Sequence, residues 1–190
     1  MIFGDPYKFG ILAEQVPTWS CSTYRNGLVF YFIDGLPFPL YDDQTMPNTT
    51  INSDLWHYKI HHLAWKKNPQ NHQIFSMPKE EAFKALVLQM NPCLTDEDFD
   101  DENFVGNYEY SLTSIIMEHC GYCCFLVGSG HQSRILVGKH ASFIVDKDGS
   151  GEWVKIENPK ISEIFMEHTE VMAIFNEMIE SLFSKQVGGD

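Results

Sequence analysis

A stretch of twelve residues near the C-terminal end, Asp146 to Glu157, has the residue types and spacing of a calcium-binding loop. It reads DKDGSGEWVKIE, with oxygen-bearing side chains at loop positions one, three and five, glycine at six and glutamate at twelve. An EF-hand loop takes its ligands from positions of this kind. The candidate calcium ligands are Asp146, Asp148, Ser150 and Glu157.

The residues around this stretch favour a different structure. An EF-hand needs a helix on each side of its loop. Here the preceding segment, Ala141–Val145, is short and rich in strand-forming residues, and Asn158-Pro159 follows directly after the loop. The residues from Trp153 to Ile156 also read as a strand. We therefore predict a β-hairpin that turns at Asp148-Gly149, with a calcium-binding module as the alternative.

Cysteine and histidine occur at two other spacings that are found in metal sites. Cys120 and Cys123 have the C-x-x-C spacing of half a structural zinc site, but no second pair follows at a suitable distance. His57 and His61 lie one helical turn apart, without the glutamate of an H-E-x-x-H motif. We predict no metal site and no cofactor. The odd number of cysteines, five, indicates free thiols in a reducing cytoplasm.

Catalytic side chains that are distant in sequence are harder to exclude. His119, Cys120 and His131 surround a predicted hairpin, and a cysteine or serine nucleophile need not be adjacent to its histidine. The chain has no G-x-S-x-G motif, phosphate-binding glycine loop or kinase signature. We expect a protein that is not an enzyme, with a small cytoplasmic enzyme of unassigned active site as the alternative.

The most unusual segment is the acidic run TDEDFDDEN, from position 95 to 103, which contains no basic residue. It is either a solvated loop or a docking surface, in which clustered carboxylates capture a basic partner and an aromatic side chain anchors it. The candidate binding residues are Asp96, Glu97, Asp98, Phe99, Asp100, Asp101, Glu102 and Phe104.

The charge of the whole chain points to the same class of partner. The 190 residues include 26 acidic and 13 basic side chains, a formal net charge of −13. Such a field repels phosphate backbones and anionic lipids, so we expect no direct binding to nucleic acid or membranes. No apolar run approaches the roughly 20 residues that span a bilayer, and the first residues do not resemble a signal peptide. We expect a cytoplasmic protein.

Strand patterns and helix patterns alternate along the chain. Strands are predicted at 8–16, at the apolar run 28–33, which we expect to be buried on both faces, and in a hairpin formed by 122–127 and 133–137. Asp34-Gly35 predicts a tight turn into an edge strand. Apolar residues at helical spacing predict helices over about 52–67, from 78 onward, and over about 169–185. The sequence therefore predicts a single α+β domain over 1–190, mainly an antiparallel sheet packed with about three helices.

Short motifs in both halves of the chain also carry a family resemblance. The chain opens with MIFGDP and continues into the strand Gly10–Glu14. Further motifs are Trp19-Ser20, Asn26–Leu28, Gly121-Tyr122, Phe125–Val127, Arg134-Ile135 and Gly138-Lys139. Together they resemble the immunity protein 42 family, small bacterial proteins encoded beside the toxin genes of polymorphic and contact-dependent growth inhibition systems.

The resemblance implies a function in which nothing is catalysed. A protein of this family would bind a cognate toxin domain that is delivered into the cytoplasm and block it, and the family has no catalytic residues to place on this sequence. Many toxins of these systems are nucleases, whose clefts are basic. The resemblance therefore implies a basic partner for the acidic segment, and a nuclease is one such partner.

Overall fold

The computed structural model describes residues 1–21, 23, 25–40, 49–51, 66–91, 104–145 and 147–183. In these ranges the strands form three antiparallel sheets, and the helices pack against two of them. The predicted α+β class is confirmed. None of the helices in these ranges is long and apolar enough to cross a membrane.

The first sheet is built around one long strand, β3. Its neighbour along the chain is β4, reached through a turn in which Asp34 and Gly35 both have positive φ, 52° and 77°. The buried side chains of β3 alternate with half-buried ones. The expectation that this strand is buried on both faces is therefore wrong, because its second face is only partly covered. The strands are β1 (Ile2–Gly4), β2 (Phe9–Gln15), β3 (Asn26–Ile33), β4 (Leu36–Phe38) and β5 (Thr49–Thr50), in the order β1-β2-β3-β4 with β5 also on β3.

The second sheet separates two hydrophobic clusters. It contains β6 (Tyr122–Ser129), β7 (Gln132–Lys139) and β10 (Ile161–Glu167), with β7 in the middle. Adjacent residues of a strand point to opposite faces, and so Cys124 lies in the first cluster while Cys123 lies in the second. The pairing of β6 with β7 confirms the hairpin predicted from 122–127 and 133–137.

Four helices lie within the described ranges. Helix α2 begins after Pro78, carries Glu80 and Glu81 in its first turn and buries the side chains of Phe83 and Leu86, as its sequence pattern predicts. Helix α4 is confirmed as well, whereas the helix predicted over 52–67 lies almost wholly outside the described residues. The helices are α1 (His72–Ser76), α2 (Lys79–Met90), α3 (Ile115–His119) and α4 (His168–Phe183).

The helices divide between the two faces of the second sheet. Helix α4 packs between the first and second sheets and contributes Val171, Phe175 and Met178 to the first cluster. Helices α1 and α2 cover the opposite face and form the second cluster with it. Both faces of the second sheet are therefore buried, which makes it the centre of the fold.

The third sheet has two strands, β8 (Ala141–Val145) and β9 (Gly151–Lys155). They pair with each other in register from Ala141↔Lys155 to Val145↔Gly151, and with no other strand that the structure describes. This hairpin follows β7 through a single residue, His140. It is thus a separate two-stranded sheet, connected to the central sheet by one residue of chain.

Candidate functional site

A cavity of about 380 Å³ opens where the third sheet meets the body of the protein. It lies between the end of α2, the loop before α3 and the base of the β8–β9 hairpin, which are far apart in sequence. The cavity is lined, among others, by Asn91, Tyr108, Glu118, Cys123, His140 and Trp153.

A glycine holds the base of the hairpin against this cavity. Gly121 has a φ of 75°, and its carbonyl oxygen accepts hydrogen bonds from the N–H groups of His140 and Ala141 at 2.9 and 3.4 Å. A Cβ at position 121 would clash with the carbonyl oxygen of Ala141. Only glycine combines this φ with so close an approach of the backbone. The contact places His140 and Trp153 at the cavity wall.

The opposite rim is held by the end of α2. The N–H of Asn107 donates to the carbonyl oxygen of Gln89 at 2.8 Å, and Gly106 lies against the backbone of Met90. Tyr108, two residues after Gly106, lines the cavity, and about half of it is exposed. The rim therefore carries an aromatic ring on each side, Tyr108 and Trp153.

The cavity also brings Cys123 together with His119 and His140, a combination used by cysteine nucleophiles. Burial, with a smaller contribution from the Glu118 carboxylate, raises the pKa of the Cys123 thiol to about 12. Burial lowers the pKa of His140 to about 4. At neutral pH the thiol is protonated and the imidazole of His140 is uncharged. An activated cysteine needs the reverse, a stabilised thiolate.

The other two sequence-based catalytic candidates lie elsewhere. Cys120 packs against the first hydrophobic cluster, and burial raises the pKa of its thiol. His131 is exposed at the turn between β6 and β7, 3.6 Å from the Glu167 carboxylate. The structure does not bring His119, Cys120 and His131 together as a set.

The buried imidazole of His140 predicts a specific dependence of stability on pH. Its Nδ1 atom is buried with no hydrogen-bond partner among the described residues, and its pKa is lowered from 6.5 to about 4. Between these values the unfolded chain binds a proton that the folded chain does not, so stability is lost as the pH falls through this window. We expect the loss due to His140 to be about 2 to 3 kcal/mol.

Urea unfolding at several pH values between 7 and 4 measures this effect. His140→Gln should flatten the curve by that amount, since glutamine does not titrate. His131→Gln, which removes an exposed histidine from a turn, is the matched control and should follow the wild-type curve. Equal pH dependence of His140→Gln and the wild type would contradict the assignment.

The candidate calcium loop is part of the β8–β9 hairpin, as the sequence predicted. Asp148 accepts hydrogen bonds from the N–H and hydroxyl of Ser150 at 3.0 and 2.7 Å, an interaction that stabilises the turn and lowers the pKa of the Asp148 carboxyl. Glu157 lies beyond β9, 3.4 Å from the ammonium of Lys155. Asp146 is outside the described residues. Within them, no group of three or more histidine, cysteine or acidic side chains is arranged to hold a metal.

The candidate binding residues of the acidic segment lie outside the described residues, except for Phe104. The chain leaves the described part at Asn91, which lines the cavity, and re-enters it at Phe104, two residues before Gly106. The side chain of Phe104 is exposed. The binding role of Asp96, Glu97, Asp98, Phe99, Asp100, Asp101 and Glu102 stays a prediction.

Comparison with known families settles the membership that the motifs of the sequence suggested. The model of the family described as Immunity protein 42 matches residues 1–181, almost the whole chain. The chain belongs to the immunity protein 42 family. The match extends through the 41–105 region and the C-terminal third, where the sequence alone showed little resemblance. No curated protein matches the chain significantly.

Among solved structures, this immunity protein 42 chain is similar to the crystal structure of CdiI from Burkholderia dolosa AUO158. The TM-score is 0.73 at 18% sequence identity, and the match covers 95% of this chain and 99% of that one. At this identity the likeness concerns the fold. It shows that the α+β arrangement extends over nearly the full length of both proteins.

Sequence reasoning missed the exposed apolar residues of the β8–β9 hairpin in this family member. Phe143, Ile144 and Val145 on β8 and Trp153 and Val154 on β9 all have exposed side chains. The apolar pattern predicted the strands but not their exposure, because a strand with apolar residues on both faces is ordinarily buried. The short length of the hairpin and its polar turn were the only signals that it could stand apart from the core.

Proposed function

We propose that this protein is an immunity protein that binds and neutralises a cognate toxin domain delivered into the bacterial cytoplasm. The family match over residues 1–181 carries the proposal. The CdiI fold supports it, since that solved protein shares the architecture over 95% of this chain. The protein acts by binding, and the toxin is neutralised without any bond being made or broken.

The chemistry of the cavity supports a function without catalysis. Its cysteine has a pKa raised to about 12 and its neighbouring histidine a pKa lowered to about 4, both through burial. Neither group is poised to exchange protons near neutral pH, as general acid–base catalysis requires. A protein that inhibits by binding alone does not need side chains whose pKa values lie near neutral pH.

The charge of the chain supports a basic toxin, with a nuclease as the specific proposal. A net charge of −13 accelerates the encounter with a basic surface and disfavours contact with nucleic acid itself. Nuclease clefts are basic because they hold phosphate. The acidic run from 96 to 102, with Phe99 and Phe104 as aromatic anchors, is the proposed region of first contact.

Co-expression with the candidate toxin tests the proposal. The probe is the C-terminal domain of the secreted protein encoded next to the gene for this chain, produced from an inducible promoter in a susceptible bacterium. We expect growth arrest by the toxin domain alone, normal growth when this chain is present, and a complex that copurifies. Continued growth arrest in the presence of the folded chain, with no complex, would contradict the proposal.

A further inference from the structure

Exposed apolar side chains lie together on one face of the β8–β9 hairpin. Phe143 and Trp153 are directly opposite each other, and Val145 follows Phe143 on the same face of β8, with exposed fractions of 53%, 48% and 63%. Single exposed apolar residues are normal on soluble proteins, whereas a contiguous patch marks an interaction site. The patch consists of Phe143, Val145 and Trp153, while Ile144 and Val154 point to the opposite face.

Within this patch, two aromatic rings are already in a fixed arrangement. Phe143 and Trp153 are directly opposite each other in the strand pair, and their ring centroids are 5.4 Å apart in an edge-to-face geometry. The Phe143 ring also covers Gly151, where a Cβ would lie 2.5 Å from two of its carbons. Aromatic side chains that are ordered before binding lose little conformational entropy on association, which suits them as anchors.

The cavity beside Trp153 has the chemistry of a site for a cation. Tyr108 and Trp153 supply aromatic rings at its rim, and the exposed carboxylate of Glu118 supplies a negative charge. The side chain of Asn91 adds an oxygen atom that can accept a hydrogen bond, whereas the hydroxyls of Ser111 and Thr113 already accept the N–H groups of Thr113 and Cys124. No lysine or arginine lines it in the part of the chain that the structure describes, and no basic group there lies within ion-pair distance of Glu118.

These groups match the needs of an arginine or lysine side chain. A guanidinium or ammonium group is attracted by the faces of tryptophan and tyrosine and forms charge-assisted hydrogen bonds with a carboxylate. Its aliphatic stem would lie along the apolar part of the wall. A volume of about 380 Å³ admits one long side chain together with water. An acidic side chain would instead meet the Glu118 carboxylate.

The charge of the chain agrees with this preference for a basic partner. The sequence directly after Asn91, which lines the cavity, contains six carboxylates and no basic group between positions 92 and 103. With a net charge of −13, the chain as a whole attracts a basic partner and repels an acidic one.

We propose that the hairpin patch and its cavity form the principal toxin-binding surface, and that the cavity takes an arginine or lysine side chain of the toxin domain. This rests on the proposed function and adds the surface, the anchor and the chemistry of the inserted group. Trp153 is the anchor, packed against the apolar stem and the cationic head of the incoming side chain. Glu118 is its counter-charge.

Binding of two variants and two matched controls tests the proposal. The dissociation constant for the purified toxin domain is measured by calorimetry. Trp153→Ala should weaken binding at least about 30-fold, the level of a hot-spot residue, and Glu118→Gln about tenfold. Trp19→Ala removes another exposed tryptophan outside the cavity, and Glu177→Gln removes an exposed carboxylate on α4. Both controls should bind as the wild type does.

Hydrogen exchange on the wild-type protein locates the binding surface without the need for any substitution. Toxin binding should slow exchange of the amides in 141–156. If the wild-type chain binds but Trp153→Ala and Glu118→Gln bind within twofold of it, and protection appears elsewhere, the surface is wrong while the proposed function stands. If this segment is already protected in the free chain because two copies associate through it, the surface is also wrong. Failure of the wild type itself to bind refutes the proposed function.

Discussion

Arg134→Ala should lower the free energy of unfolding by about 3 to 4 kcal/mol. The Arg134 guanidinium is almost fully buried on β7 and lies between β10 and the end of α1. Its Nε and Nη2 donate to one oxygen of Glu163 at 3.0 and 2.8 Å. Its Nη1 donates to the carbonyl oxygens of three residues, at 3.1, 3.0 and 2.8 Å. These are Ile74, Phe75 and Met77.

The expected loss is large because several groups would lose their partner at once. The last carbonyls of a helix lack an N–H partner further along the helix, and here the buried Arg134 guanidinium donates to those of Phe75 and Met77, while the Ile74 carbonyl also accepts the N–H of Met77. Alanine would also leave the partly buried Glu163 carboxylate without its counter-charge and Phe165 without a cation 5.4 Å from its ring centre. Removing one member of a buried ion pair is far more costly than its net contribution suggests.

Equilibrium unfolding in urea, followed by circular dichroism, measures this change. Lys160→Ala removes an exposed basic residue near β10 and should alter the free energy of unfolding by no more than about 0.5 kcal/mol. Glu163→Gln retains an oxygen acceptor and should lose only part of what Arg134→Ala loses. A loss below about 1 kcal/mol for Arg134→Ala would show that the carbonyl groups find other partners.

Reversing the charge of the acidic segment should slow association with a basic toxin on the order of 10- to 100-fold at low salt. The variant replaces Asp98, Asp100 and Asp101 with lysine, which converts the most acidic run of the chain into a mixed one. Electrostatic steering acts mainly on the association rate and weakens as salt is added. The logarithm of that rate should therefore depend less steeply on salt in the variant than in the wild type.

A second triple variant distinguishes the effect of charge in the acidic segment from the effect of the net charge of the chain. Glu170, Glu177 and Glu180 are exposed on α4, and replacing them with lysine changes the net charge by the same amount. Stopped-flow association at several salt concentrations compares the two. If the segment faces the approaching toxin, its variant slows much more than the α4 variant. Equal slowing of the two variants would mean that only the net charge of the chain affects association. Unchanged association rates would show that the acidic segment does not face the approaching toxin.

Local patterns in the sequence were sufficient for the regular part of the fold. The apolar stripe and the proline start of α2 predicted that helix, and the apolar segments on either side of the turn at 128–132 predicted the β6–β7 hairpin. Helices α1 and α3 were missed because five residues make little more than one turn, too few to show a period. Strand β10 was missed because it carries Glu163 and Glu167 among its apolar residues, and Glu163 is satisfied only by Arg134, which is distant in sequence.

The candidate site was harder to predict from the sequence than the fold. The cavity is assembled from the end of α2, the loop before α3, the end of α3, the start of β6, and His140 and Trp153 of the β8–β9 hairpin region. Which of these segments meet depends on the packing of the whole chain. The single local signal was Gly121, but a glycine that permits a positive φ looks the same in a sequence as a glycine in any turn.

The residues from Phe143 to Val154 belong to neither hydrophobic cluster of the fold. Substitutions at such surface positions usually change the free energy of unfolding by no more than about 0.5 kcal/mol. Mutations there can therefore accumulate without loss of the folded state, while those in the central sheet are removed by selection. A lineage whose toxin changes its surface can follow that change in the hairpin. Among homologues, we expect β8 and β9 to diverge together with the toxin genes beside them, more quickly than β6 and β7.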